Sequence, residues 1–151
     1  MHTLSVFRVR QERVSTFLFE TNTVRKPKDA ADIAFAFLKN EYGSLPDREV
    51  FGVIWVNTKN IVVGLEIVSV GILNAAMVRP REVFMGGLLH NASSGIVFHN
   101  HPSGITNPST EDIEVSKRLI SAGELLSIHI LDSLVLGEDS FTSLQQIGLL
   151  D

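Results

Sequence analysis

Two histidines flank one asparagine at His99-Asn100-His101, a serine follows at position 109 and an aspartate at position 112. Two imidazoles and a carboxylate are ligands of the kind that hold a catalytic zinc, and three protein ligands leave one tetrahedral position open for water. Where the backbone is extended, residues two apart point to the same side. Both imidazoles can then reach one ion, while Asn100 faces the other way and can tie down the loop. Alone, a His-x-His pair is weak evidence, because such pairs are more often structural.

Asp112 carries more information. Ser109-Thr110-Glu111-Asp112 has the spacing of a capping box, in which both side chains serve the helix end. An aspartate in the first turn is also favoured by the helix dipole. The helix opening there, expected from Ser109 to about Ala122 with Gly123 ending it, places Asp112, Val115, Leu119 and Ala122 on one stripe. Glu111, Glu114, Arg118 and Ser121 fall on the other side. A carboxylate on an inward stripe needs a cation or hydrogen-bond donors. Capping accounts for Ser109 and Asp112 by themselves; a metal accounts for them together with His99 and His101. Hydrolytic zinc also needs a general base for its water, usually a glutamate. Glu49, Glu66 and Glu82 stand in or beside apolar stretches, and spacing does not choose among them. His2, His90 and His129 have no partner at ligand spacing and read as ordinary surface or core residues.

The surrounding pattern must position these groups. Residues 4–9 and 14–20 are rich in β-branched and aromatic side chains and predict a strand pair. Pro27 starts a helical stretch in which Ile33, Ala34, Phe37 and Leu38 share a face, broken at Gly43-Ser44-Leu45-Pro46-Asp47. Val50–Asn57 and Ile61–Val70 predict a hairpin through Asn57-Thr58-Lys59-Asn60. Pro80 suits the first turn of a helix running to about His90, and Gly86-Gly87 within it implies close packing. Gly95-Ile96-Val97-Phe98 reads as a buried strand entering His99, and Pro102–Pro108 as a loop. Leu125–Leu136 is a further strand pattern, followed by a turn at Gly137-Glu138-Asp139 and a short terminal piece. Interleaved helices and strands with one hairpin predict a mixed α/β sheet. The division expected is an N-terminal strand pair or extension over 1–27 and one domain over 28–151.

Composition sets outer limits. The 151 residues suit one domain with its own core, and 44% hydrophobic with 20% charged residues is ordinary globular composition. With no cysteine in the chain, disulfides, cysteine zinc sites and a cysteine nucleophile are excluded. The first residues lack the apolar core of a signal peptide, and no run is long enough to cross a bilayer, which points to the cytoplasm. A net charge of −4 with scattered basic residues argues against autonomous nucleic-acid binding.

Residues 99–112, HNHPSGITNPSTED, fit the pattern H-x-H-x(7)-S-x(2)-D without deviation. This stretch resembles the JAMM motif of the JAB/MPN metalloproteases, and its flanks resemble the RadC-like branch. The likeness extends over Arg48-Glu49-Val50-Phe51, Val78–Phe84, Asn91-Ala92 and Leu131-Asp132. It implies an α/β fold, a single mixed-sheet domain flanked by helices with JAB/MPN (cytidine-deaminase-like) architecture. It further implies one Zn2+ per chain on His99, His101 and Asp112, Glu49 as general base and Ser109 as hydrogen-bond donor to an oxyanion. The implied activity is a zinc-dependent metallopeptidase-like hydrolysis of a peptide or isopeptide bond in a peptide or protein substrate. The alternative is a non-enzymatic accessory module for DNA repair or a mobile element on the same fold. Two features depart from the family: Ser133 stands where RadC proteins often have histidine, and the helix-hairpin-helix segment of larger RadC proteins is not seen, so a short form is expected.

Overall fold

β1 (Val50–Val56) is an uninterrupted apolar run, VFGVIWV, and every residue of it is buried, as expected of a strand covered on both faces. The computed structural model describes residues 1–71 and 78–151. β1 pairs antiparallel with β2 (Val62–Val70), forming the expected hairpin. Its turn is held by Asn57, whose side-chain oxygen accepts from the Lys59 and Ile61 amides, and by Asn60 at φ 59°. On its other side β1 pairs antiparallel with β3 (Ser94–Asn100). β3 then pairs in parallel with β4 (His129–Leu136), and β4 antiparallel with β5 (Phe141–Ser143). The five-stranded sheet has the order β2-β1-β3-β4-β5 and is mixed.

Strand alternation sends side chains to two different cores. Val50, Ile54, Val56, Ile96, Phe98, Leu134 and Leu136 pack with helix α1 (Pro27–Tyr42) through Ala30, Ile33, Ala34, Phe37 and Leu38. α1 begins at proline, is capped by Asp29 accepting from the Arg25 and Lys26 amides, and ends at Gly43 with φ 79°. Phe51, Val53, Trp55 and Val97 face the opposite way, toward α2 (Pro80–Leu89) and α3 (Thr110–Leu126). The close packing expected at Gly86-Gly87 is present. A Cβ on Gly86 would fall 2.1 Å from the Glu66 carboxylate, and one on Gly87 2.9 Å from the Trp55 ring.

Two expectations need correction. Residues 4–9 and 14–20 form no strands: side chains such as Leu4, Val6, Phe7, Val9 and Leu18 are exposed, and the regular pairing is limited to an isolated bridge between Thr23 and Ile61. A two-stranded ribbon without a surface to cover is marginal in water, and only Phe17, stacked 6.2 Å from Phe37, finds one. The second correction concerns α3, which passes through Gly123 to Leu126 and ends at Ser127 with φ 60°. Gly123 is inside the helix because the chain returns directly over it. Its carbonyl accepts from the Ile128 amide at 2.9 Å, and a Cβ there would sit 2.3 Å from the Ile128 carbonyl. Leu125 and Leu126 are therefore exposed helical residues, and the last long strand starts at His129.

Candidate metal centre

The sheet register assembles the site. Phe51 stands opposite His99 in the β1/β3 ladder. Continued by two residues, this antiparallel register brings Glu49 opposite His101, with both side chains on the face of α2 and α3. On that face the N-terminus of α3 delivers Asp112. Four side chains converge: ligand atoms of Glu49, His99, His101 and Asp112 all lie within 4.8 Å of one another.

The inner three are closely matched. His99 Nε2 lies 3.1 Å from His101 Nε2 and 3.1 Å from Asp112 Oδ1, and His101 Nε2 lies 3.0 Å from Asp112 Oδ2. Tetrahedral ligands on bonds of about 2.0–2.1 Å would be separated by roughly 3.3 Å, close to this triangle. His101 supplies an independent test of fit. Its Nδ1 is 2.8 Å from the Ile105 carbonyl, which can only accept, so Nδ1 carries the proton. Nε2 faces the Asp112 oxygen across 3.0 Å, a contact that needs either a second proton on the ring or a metal ion between the two groups. A metal ion at this point would be met by Nε2 and the Asp112 carboxylate together. Histidine ligands to metals are oriented in this way, by a backbone carbonyl on the other nitrogen. His99 differs: its Nδ1 is buried with no hydrogen-bond partner among the described residues, and its ring stacks against Phe51 at 6.4 Å.

Asp112 serves both readings of its sequence position. Ser109 Oγ accepts from the Asp112 amide at 3.1 Å, while Asp112 Oδ2 accepts from the Ser109 amide at 2.8 Å, a complete capping box. The same carboxylate faces both histidines. Burial disfavours its charged form, but contacts with His99, the Ser109 amide and His101 outweigh that and hold its pKa at about 2 against an ordinary 3.8. The first turn of α3 is fixed from behind by Ser116 Oγ, 2.7 Å from the Asp112 carbonyl and 2.8 Å from Ser133 Oγ. Since a carbonyl can only accept, Ser116 donates to it and accepts from Ser133. Ser133 thus braces the helix that carries Asp112.

The centre has a closed and an open side. The side chains of His99 and Asp112 are 1% and 2% exposed, whereas those of His101 and Glu49 are 17% and 24% exposed. Glu49 Oε1 lies 3.9 Å from His101 Nε2, and Ser109, at the helix N-terminus, is exposed. The other two glutamates are elsewhere. Glu66 pairs with Val53 farther along the hairpin and accepts from the Trp55 indole N–H at 2.7 Å. Glu82 is exposed in the first turn of α2, 3.8 Å from Arg79. His2, His90 and His129 are outside the cluster; His90 packs its ring against Gly64. Ile105 carried no signal as an isolated residue, and Ser133 stood out only as a departure from the family pattern. The role of Ile105 is that of a backbone carbonyl set by the turn at Gly104, where φ is 82°.

A mixed α/β sheet with a histidine-histidine-aspartate cluster at a strand end and a neighbouring glutamate defines a domain of JAB/MPN type. The profile described as RadC-like JAB domain matches residues 24–149, and the chain belongs to that family. It is 44% identical over 138 residues to a UPF0758 protein of Moorella thermoacetica, covering 91% of this chain and 58% of the relative. A UPF0758 protein of Desulforamulus reducens is 41% identical over 139 residues, with 91% and 59% covered. One from Methanosarcina mazei is 38% identical over 137 residues, with 90% and 58% covered. The chain therefore spans a little under three fifths of the length of these relatives. No helix among the described residues is long and apolar enough to cross a membrane.

Proposed function

We propose that the chain is a zinc-dependent hydrolase of peptide or isopeptide bonds, with His99, His101 and Asp112 holding one Zn2+, Glu49 as general base and Ser109 as oxyanion donor. The observation carrying this reading is the convergence of His99, His101 and Asp112, 3.0 to 3.1 Å apart, with His101 oriented by the Ile105 carbonyl and Glu49 on the open side 3.9 Å from it. When bound, zinc supplies Lewis acidity, polarising the scissile carbonyl and acidifying water.

The chain's own groups do the rest. Glu49 accepts a proton from the attacking water as the new carbon–oxygen bond forms, then gives it to the leaving amine nitrogen as the carbon–nitrogen bond breaks. Its partial exposure lets it meet both water and substrate. Ser109 Oγ already accepts the Asp112 amide, so its own O–H is available to donate to the carbonyl oxygen as negative charge grows there. The buried pair, His99 and Asp112, is shut off from competing solvent. The reading suits a protein or peptide substrate in the cytoplasm and needs no nucleic acid.

The test is metal analysis of the purified chain together with hydrolysis assays on unstructured peptides and on a lysine-linked isopeptide, before and after chelation. About one zinc per chain and chelator-sensitive, zinc-restored cleavage are expected. Absence of zinc uptake would overturn the reading. Zinc uptake without cleavage, accompanied by salt-dependent DNA binding that survives His99→Ala, would replace it with the accessory-module reading.

A further inference from the structure

Asn100 lies between the two histidines in sequence but projects from the opposite face of β3, where it is fully buried on the α1 side of the sheet. Its amide makes three hydrogen bonds, all to the segment that carries Glu49. Oδ1 accepts from the Val50 amide at 2.8 Å; Nδ2 donates to the Arg48 carbonyl at 3.0 Å and to the Pro46 carbonyl at 3.2 Å. Two of these partners are the backbone groups immediately before and after Glu49.

Resting on the proposed role of Glu49, we propose that Asn100 is the positioning residue for that carboxylate. The strand that carries His99 and leads into His101 thereby also fixes the distance of Glu49 from them. The chemistry requires an amide at this position. The Val50 N–H needs an acceptor and the two carbonyls need donors, and only a side chain with both functions on one carbon meets all three. Aspartate could accept from Val50 but would set a negative oxygen against two carbonyls. Leucine would leave three buried backbone groups unsatisfied. The segment needs such a clamp: Gly43, Ser44 and Asp47 to Arg48 lie in turns and bends, and Glu49 precedes the first strand residue. Its backbone is also tied from the other side by the Gly71 amide, which donates to the Glu49 carbonyl at 2.8 Å. Asn100 and that bond together leave little freedom in the direction from which Glu49 enters the site.

The test is a double-mutant cycle in the full chain, read as Zn2+ affinity by competition with a chromophoric chelator and as the visible absorption spectrum of the Co2+-loaded protein. Because the Glu49 carboxylate lies on the open side of the centre, 3.9 Å from His101 Nε2, Glu49→Gln is expected to change the Co2+ spectrum and to weaken Zn2+ binding by about 10-fold, the low end of what loss of an outer-shell partner costs. Asn100→Ala should weaken it by a similar factor and give a Co2+ spectrum like that of Glu49→Gln. Made in the Glu49→Gln background, Asn100→Ala should change neither readout by more than about two-fold, because coupled residues are not additive. Asn100→Asp provides the same comparison if the alanine variant does not fold. Effects of Asn100 that multiply with those of Glu49, or a wild-type Co2+ spectrum in a folded Asn100 variant, would overturn the assignment while leaving the hydrolase reading intact. A wild-type chain that takes up no Zn2+ would overturn both.

Discussion

Ser109 and Asp112 share a capping box, but only Asp112 faces the histidines, so two substitutions separate helix capping from metal binding. Ser109→Ala removes the acceptor of the Asp112 amide at 3.1 Å. Loss of an N-cap costs about 1 kcal/mol, which in a domain of this size lowers the melting temperature by roughly 2–4 °C. The loss should be similar with and without Zn2+, because the proposed metal ligands are unchanged. Zinc at a thousand times its dissociation constant adds about 4 kcal/mol to the folded state. At the same conversion the wild-type melting temperature rises by roughly 8–16 °C. Asp112→Ala removes the acceptor of the Ser109 amide at 2.8 Å and the oxygens 3.0 and 3.1 Å from the two histidines. It should start a few degrees lower than wild type and lose nearly the whole zinc increment. The assay is differential scanning calorimetry of the three proteins after chelation and after zinc addition. An Asp112→Ala protein that keeps the wild-type increment would refute the placement of Asp112 on the metal. A Ser109→Ala protein that loses it would refute the separation of roles.

Glu66→Gln should leave zinc content and turnover unchanged, since its amide oxygen can still accept from Trp55; Gly86→Ala, which drives a methyl into that carboxylate, should destabilise the fold by about 1–3 kcal/mol in urea denaturation. Loss of turnover in a stable Glu66→Gln protein would return Glu66 as a base. Asp132 gives a pH signature of its own: burial raises its pKa, with Ser143, the Gln145 amide and the Ser133 amide offsetting part of the rise. The folded state therefore holds this proton more tightly than the unfolded chain. Its contribution to stability is full below the ordinary value of 3.8 and is lost as pH rises through the folded value. Measured by urea unfolding across this range, wild type should lose stability relative to Asp132→Asn as pH rises; a flat or rising difference would contradict the assignment.

The clustering of His99, His101 and Asp112 was legible in the sequence because its information is local. His99 sits in β3 and His101 just past its end, two residues on, and Asp112 falls on a helix stripe whose other members, Val115 and Leu119, are buried as the spacing requires. The placement of Glu49 rather than Glu66 beside the histidines was not local: it depends on the register between β1 and β3, which pairs Phe51 with His99. The same apolar alternation that identified the hairpin says nothing about which strand lies on its other side. The N-terminal pattern failed for a related reason. Alternating residues at 4–9 have the composition of a strand, but pairing needs a surface to bury, and Leu4, Val6 and Phe7 have none. Gly123 misled because glycine ends helices at positive φ and also permits close approach; here it does the second, beneath the Ile128 carbonyl, and Ser127 does the first.

The proposed chemistry requires Glu49 to act as the base beside a zinc held by His99, His101 and Asp112. The decisive measurement is the turnover number of Glu49→Gln against wild type on one cleavable peptide or isopeptide, with both proteins brought to the same zinc content. Equal folding, about one zinc in each, and a fall in turnover of about 10²- to 10⁴-fold in the variant are expected, the range that general-base catalysis supplies. Wild-type turnover in a fully zinc-loaded Glu49→Gln protein would contradict that role.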